Sequence, residues 1–332
     1  MLPVPVSWSK RTTQSTFAFI PNRRDPIRRN NATISLAIVA VLSLVLNVRH
    51  WLDARHNPLE APGSELVPES ISNTLIRDSH VSHASHLIIV AGHGVWKGCD
   101  PQWRGDHEQW SLGPEAKDRG ASVRLYFSHI VRGAELAVND PHAILIFSGG
   151  QTLPDSSITE AQSYHRLAHE SNVFQTSHSY FERAHTEDYA LDSFQNLLFS
   201  IARFHEIVGA YPDRVTVIGF AMKEERRFRR LHRAALRWPE NKFDYIGLDL
   251  PGDSSNAQDG EVLCPKDTRK NGYLPFAQDP YGCHSQLAEK RRRRNPFLRH
   301  HPYFSSSPQL VALFEWCPER GEIFPGPLPW SH

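Results

Sequence analysis

At 332 residues and 40% hydrophobic, the chain is long enough for one sizeable α/β core with extensions at both ends. Its 37 basic side chains nearly balance 36 acidic ones, so no global field favours nucleic acid or strongly charged partners. Four cysteines, Cys99, Cys264, Cys283 and Cys317, lack the C-x-x-C spacing, which sets aside zinc-ribbon and thioredoxin-like readings and leaves room for disulfides.

Residues 1–31 form a basic tail with Lys10, Arg11, Arg23, Arg24, Arg28 and Arg29 against one acid, Asp25. Residues 32–48, ATISLAIVAVLSLVLNV, carry no charge, proline or glycine and reach the short end of a membrane-spanning length. The charge asymmetry places the tail in the cytosol and predicts a single-pass anchor. A cleaved signal peptide is disfavoured because the leading segment is long and no small-x-small site follows Val48, and a secretory-pathway membrane is favoured over a mitochondrial one. The lack of an Asn-x-Ser/Thr sequon beyond the anchor, and a tail with one acid, pull the other way. Residues 49–80, with Pro58, Pro62, Gly63 and Pro68, read as a stalk.

Residues 81–252 alternate strand and helix patterns. Strands are expected at 86–91, 142–147, 214–219 and 245–250, and helices near 119–138, 188–208 and 223–238. A loop holding Trp96, Trp103 and Trp110 follows the first strand. Thr159 and Gln162 have capping-box spacing at the start of another helix. Leu191, Phe194, Leu197, Leu198, Ile201, Phe204 and Val208 make one apolar stripe. Phe228, Leu231, Ala235 and Trp238 are the expected inward residues of the last helix. Near-continuous apolar strands between helices mean a parallel sheet covered on both faces, a Rossmann-like α/β fold. Residues 253–332 lose periodicity and read as an irregular extension packed on the domain.

The first two strands run into Gly92-His93-Gly94 and Ser148-Gly149-Gly150. Such turns bring backbone amides to the carboxyl edge of a sheet, where phosphates bind. Glu160 follows at a helix start, and Glu187 precedes Asp192, Gln195 and Asn196, whose spacing places them on one helix face. Lys223 and Arg226 lie in the first turn after the strand ending at Gly219, ahead of a helix dense in arginine. These residues together describe a site for a small anionic ligand. His93, His107, His129 and His185 form no metal-ligand pattern, and neither a G-x-S-x-G elbow nor a P-loop is present. No metal is expected, and no cofactor is named by these residues.

The glycine turns, Thr159-Glu160-Ala161, Glu187 and the run Asp192-Ser193-x-Gln195-Asn196 resemble the domain of unknown function 218 family (SanA/YdcF/ElyC-like), and residues 281–283 and 290–297 resemble its fungal single-pass transmembrane branch. The likeness spans residues 86–248. It implies a Rossmann-like fold, membrane-anchored roles near the cell envelope or endomembranes, and nucleotide-like ligands. Gln195 stands where the family has Glu, and Lys223 where it often has His, which departs from the family's set of proton carriers. Glu160 and Glu187 are then the expected acid/base pair if the chain is a transferase or hydrolase; the rivals are a binding protein without turnover and a structural membrane protein with no ligand. For a lumenal domain, Cys264 with Cys283 is the first disulfide expected, closing a loop of about 20 residues.

Overall fold

The structure, a computed structural model, describes residues 26–56, 69–114, 122–175, 180–249, 273–319 and 321–331. The chain divides into two compact units, Met1–Pro62 and Gly63–His332. The basic tail up to residue 25, residues 57–68 of the stalk, Cys264, and the Pro251-Gly252 end of the last expected strand lie outside the described residues.

In the first unit, helix α1 (Pro26–His56) is longer at both ends than the expected 32–48. Pro26 suits a first helical position, and the stretch after Val48 contains Leu, Ala and Arg, which continue a helix rather than open a stalk. Its side chains Ile34, Leu36, Ile38, Val41, Leu44 and Leu46 are exposed. Among the described residues, no helix is long and apolar enough to cross a membrane.

The second unit is built on five parallel strands: β1 (His86–Ala91), β4 (Ala143–Ser148), β5 (Ala184–Glu187), β6 (Arg214–Phe220) and β7 (Phe243–Leu248). Their order is β5-β4-β1-β6-β7. The chain runs outward from β1 to one side, then returns to add β6 and β7 on the other. That is the Rossmann-like strand order short of its sixth strand, with the topological switch between β1 and β6.

Strand alternation sets the two cores. Leu87 and Ile89 face one layer with Ile144, Ile146 and helix α4 (Ser193–Val208), while Ile88 and Val90 face the other with Leu145, Phe147, helix α2 (Ser122–Asn139) and helix α3 (Glu160–Glu170). Of the expected stripe, Phe194, Leu197, Leu198, Ile201, Phe204 and Val208 are buried on the helix, while Leu191 lies ahead of it and is half-buried. The capping box also forms, with the Gln162 amide donating to Thr159 Oγ1 at 3.0 Å and the Thr159 amide donating to Gln162 Oε1 at 3.3 Å. The loop after β1 folds back into a short antiparallel ribbon, β2 (Val95–Trp96) with β3 (Trp110–Ser111), that buries both tryptophans.

Three expectations change. The α4 helix begins at Ser193 rather than near 188, because the Asp192 side chain accepts from the Gln195 amide at 2.9 Å and so terminates the helix as its N-cap. The expected helix at 223–238 is a 3-10 turn (Ala221–Lys223), a π-helix (Glu224–His232) and a short α-turn (Arg233–Ala235). The wider π-turn carries His232 fully inward, whereas α spacing would place Leu231 there. The C-terminal segment is more regular than expected. It contains α5 (Ser285–Arg293) and single turns at Leu274–Gln278, Tyr303–Ser306 and Val311–Phe314, and it buries Phe276, Tyr281, Leu287, Tyr303, Leu310 and Leu313 in the α4-side core.

Candidate functional site

Ala91, Ser148 and Glu187 end β1, β4 and β5 in register, side by side at the carboxyl edge. The ladder continues one step past them: the Gly92 amide donates to the Ser148 carbonyl at 2.7 Å, and the Gly149 amide to the Glu187 carbonyl at 3.0 Å. The Gly150 amide donates to the Ala190 carbonyl at 2.8 Å, and the carbonyls of Gly150 and Gly149 accept the first amides of α3, from Glu160 and Ala161, each at 3.1 Å. The amides of Gly92, Gly149 and Gly150 are therefore engaged within the fold, which corrects the expectation that they cradle a phosphate.

The glycines have another cause. A Cβ on Gly92 would meet Glu160 Cβ at 2.7 Å and Oε2 at 2.8 Å, and one on Gly149 would meet the same two atoms at 2.9 Å. Only residues without a Cβ let the Glu160 side chain lie against the ends of β1 and β4. Gly94 instead packs under Leu112, the residue that follows the ribbon.

Glu160 is buried, and its Oε1 accepts from Thr152 Oγ1. Burial pushes its pKa up, opposed by Arg294, the Thr152 hydrogen bond and Lys223, and burial prevails. Glu187 is fully buried and accepts from four donors: Ser148 Oγ at 2.7 Å, the Tyr189 amide at 2.8 Å, the Ala190 amide at 3.3 Å and Tyr303 Oη at 3.1 Å. Burial still raises its pKa to about 7. Ser148 Oγ also approaches Asn196 Oδ1, at 3.1 Å. Asp192 accepts from Arg291 Nε at 2.7 Å; burial alone would raise its pKa, but the Arg291 guanidinium and the Gln195 amide hold it below the usual range. Gln195 accepts from the Leu191 amide at 2.9 Å. The polar face expected on α4 is thus turned inward, capping the helix and joining strand ends.

Across the β1/β6 switch, His93 packs on Phe220 with ring centroids 4.8 Å apart, and Lys223 Nζ lies 5.0 Å from the same ring. Behind them His129 is fully buried, its pKa lowered by burial to about 3. Lys223 is half-buried and acts electrostatically on both Glu160 and His129. The backbone of Arg226 lies in the π-helix; its side chain is outside the described residues.

The structure therefore gathers Gly92, Ser148, Gly149, Gly150, Glu160, Glu187, Asp192 and Asn196 into one buried polar cluster, with His93 and Lys223 beside it at the switch. Sequence reasoning missed Thr152, Arg291, Arg294 and Tyr303. The basic run at 290–294 is conspicuous in the sequence, yet nothing local ties it to a turn about a hundred residues earlier. Tyr303 carries no signal.

The disulfide expectation is corrected: Cys283 pairs with Cys317, with Cα atoms 5.9 Å apart, and Cys99 is an exposed free thiol. The separation in space, not the loop length, selects the partner. Cys283, His284 and Cys317 bring ligand-type atoms within 4.8 Å of one another, but two of them are the bonded sulfurs. Beside this disulfide a cavity of about 100 Å³, lined by Phe194, Leu198, Phe199, Arg291 and Trp316, separates α4 from the C-terminal segment.

Fold and edge together define a parallel α/β domain with a closed acidic cluster at its strand ends and cations beside it. No family model matches the chain, and no solved structure matches it. The chain is similar to the uncharacterized protein YOR238W of Saccharomyces cerevisiae, 29% identical over 286 residues that cover 72% of this chain and 90% of that protein.

Proposed function

We propose that the carboxyl edge binds a small anionic ligand, phosphate-bearing or nucleotide-like, beside the β1/β6 switch. The observation that carries this reading is that Arg294, from the end of α5, and Lys223, from the turn after β6, both act electrostatically on the buried Glu160 and pull its pKa down against burial. Two cations from distant parts of the chain then serve one carboxylate, at the start of α3 and against the strand ends, at the place where open α/β sheets take ligands. The recognition is by side chains, since the amides of Gly92, Gly149 and Gly150 are engaged. Glu160, with raised pKa and a position beside both cations, is the group suited to orient the ligand or carry a proton. Glu187 serves as a structural acceptor, because four donors already surround it. The enzyme version of this reading, a transferase or hydrolase, rests on Glu160 alone.

The likeness to the domain of unknown function 218 family supports the same placement. A membrane anchor at 32–48 is part of the proposal, supported by the uncharged apolar run and by exposed apolar side chains along α1 at positions that together face every direction around the helix. The test is a thermal-shift screen against nucleotides, nucleotide sugars, S-adenosylmethionine and pyrophosphate. A ligand at about 100 times its Kd stabilises by about 2.7 kcal/mol. The expected result is a shift that Lys223→Ala and Arg294→Ala each remove; a shift that survives both substitutions, or no shift with any anion, refutes the site.

A further inference from the structure

The loop after α5 meets the cluster described above only through Arg294 at its base, yet it is built as if to present its tip. Asn295 holds it closed: its Nδ2 donates to the Arg299 carbonyl at 3.0 Å, and its Oδ1 accepts from the Arg299 amide at 2.9 Å. The Leu298 amide donates to the Asn295 carbonyl at 3.2 Å, which completes a turn. Arg299 stacks 4.7 Å over the Tyr189 ring, and Arg294 donates to the Leu191 carbonyl at 3.0 Å, so the base of the loop is fixed to the turn that follows β5. On this frame Leu298 adopts φ +53°, a left-handed conformation that costs a branched side chain energy, and it is 80% exposed. Phe297 beside it is 44% exposed.

A rigid turn that strains a leucine in order to hold it in water is unfavourable unless something apolar receives it. The surroundings state what that partner is. Arg292 and Arg293 flank the tip with side chains 68% and 62% exposed, and they share a single surface acid, Glu289, at 2.6 and 3.9 Å. Exposed pairs of this kind contribute little and open readily to another anion. Arg294 and Arg299, both half-buried, hold the base of the loop, and His300 is exposed beside it. An apolar tip inside a basic collar matches an anionic bilayer, whose headgroups meet the arginines while its acyl region takes the leucine and phenylalanine. A nucleic acid would use the arginines and stack on Phe297 but would leave Leu298 in water.

We propose that the loop formed by residues 292–300 is a membrane-docking surface that inserts Phe297 and Leu298 into a leaflet rich in anionic lipid. This stands independently of any ligand at Glu160.

Amide hydrogen exchange on the full chain tests it, in nanodiscs of phosphatidylcholine alone and of an equal mixture with phosphatidylserine. The amides of Phe297, Leu298 and Arg299 are expected to exchange more slowly only in the anionic discs, with the protection lost at high salt. Leu298→Gly relieves the positive φ, so the variant folds, and it should abolish the protection. Replacing Arg292 and Arg293 with Gln should weaken association of the loop with the leaflet by about thirtyfold, from about 1 kcal/mol per basic side chain at an anionic surface. Equal exchange in both discs, protection unchanged in both variants, or the same protection from inorganic phosphate or an oligonucleotide without lipid overturns the proposal.

Discussion

Glu187 sets burial against hydrogen bonding, and the stability of the protein as a function of pH reads the outcome. All four partners donate, which favours the carboxylate, while complete burial favours the neutral acid. Burial wins, moving the pKa from 4.5 to about 7. The folded state therefore binds a proton that the unfolded chain has released. Stability from this group is complete below about pH 4.5, falls as pH rises through about 7 and levels off above it. At 1.36 kcal/mol per unit the loss amounts to about 3 kcal/mol. Glu187→Gln mimics the neutral acid and cannot ionise, so its stability relative to the parent should improve by about 3 kcal/mol between pH 5 and pH 8. Urea denaturation of both proteins at unit intervals of pH measures this, and at about 3 kcal/mol/M the relative midpoint moves by about 1 M. Using the difference between the two proteins cancels Glu160 and the buried histidines, which titrate in both. A difference that stays constant within about 1 kcal/mol would refute the reasoning and show that the four donors keep Glu187 ionised.

Gly92→Ala should cost about 1–3 kcal/mol, because the added methyl meets Glu160 at 2.7 Å; a thermal midpoint unchanged from the parent's would mean that Glu160 is free to move. At the start of α4, Asp192→Asn keeps a capping oxygen but removes the partner of Arg291, whereas Asp192→Ala loses both, by about 1 kcal/mol more. Equal costs in denaturation would show that the ion pair alone matters. Cys283 and Cys317, 34 residues apart, should resist alkylation until reduced while Cys99 reacts at once, and reduction should cost about 4 kcal/mol by chain entropy. Mass spectrometry that finds Cys283 and Cys317 alkylated without reductant sinks that pairing.

The parallel sheet was legible because its strands are apolar on both faces and its helices carry regular stripes, signals contained within single elements. The capping box at Thr159 was legible for the same reason. The polar strand Ala184–Glu187 was not, since His185, Thr186 and Glu187 lack the apolar run that marks a buried strand, and its place at the sheet edge spares it one neighbour. The glycines were located correctly but given the wrong cause. A strand-end glycine signals a close approach without saying to what, and here the approaching group is Glu160, distant in sequence from Gly92 and contributed by the chain itself. The same limit hid Arg291, Arg294, Tyr303 and the Cys317 partner of Cys283, each defined by a contact that only the folded chain makes.

The clamp of Arg291 and Tyr303 on Asp192 and Glu187 also bears on how the protein is made. These contacts join positions 99 and 116 residues apart in the chain. A ribosome adding about 5–20 residues per second extrudes Asp192 about 5–20 s ahead of Arg291. Throughout that interval the acids at the end of β5 lack the guanidinium and phenol that accompany them into the interior. The sheet can assemble during synthesis, but its carboxyl edge closes only when the segment carrying Arg291 and Tyr303 arrives. A nascent chain stalled before that point should carry an open acidic edge and be a client for holding chaperones.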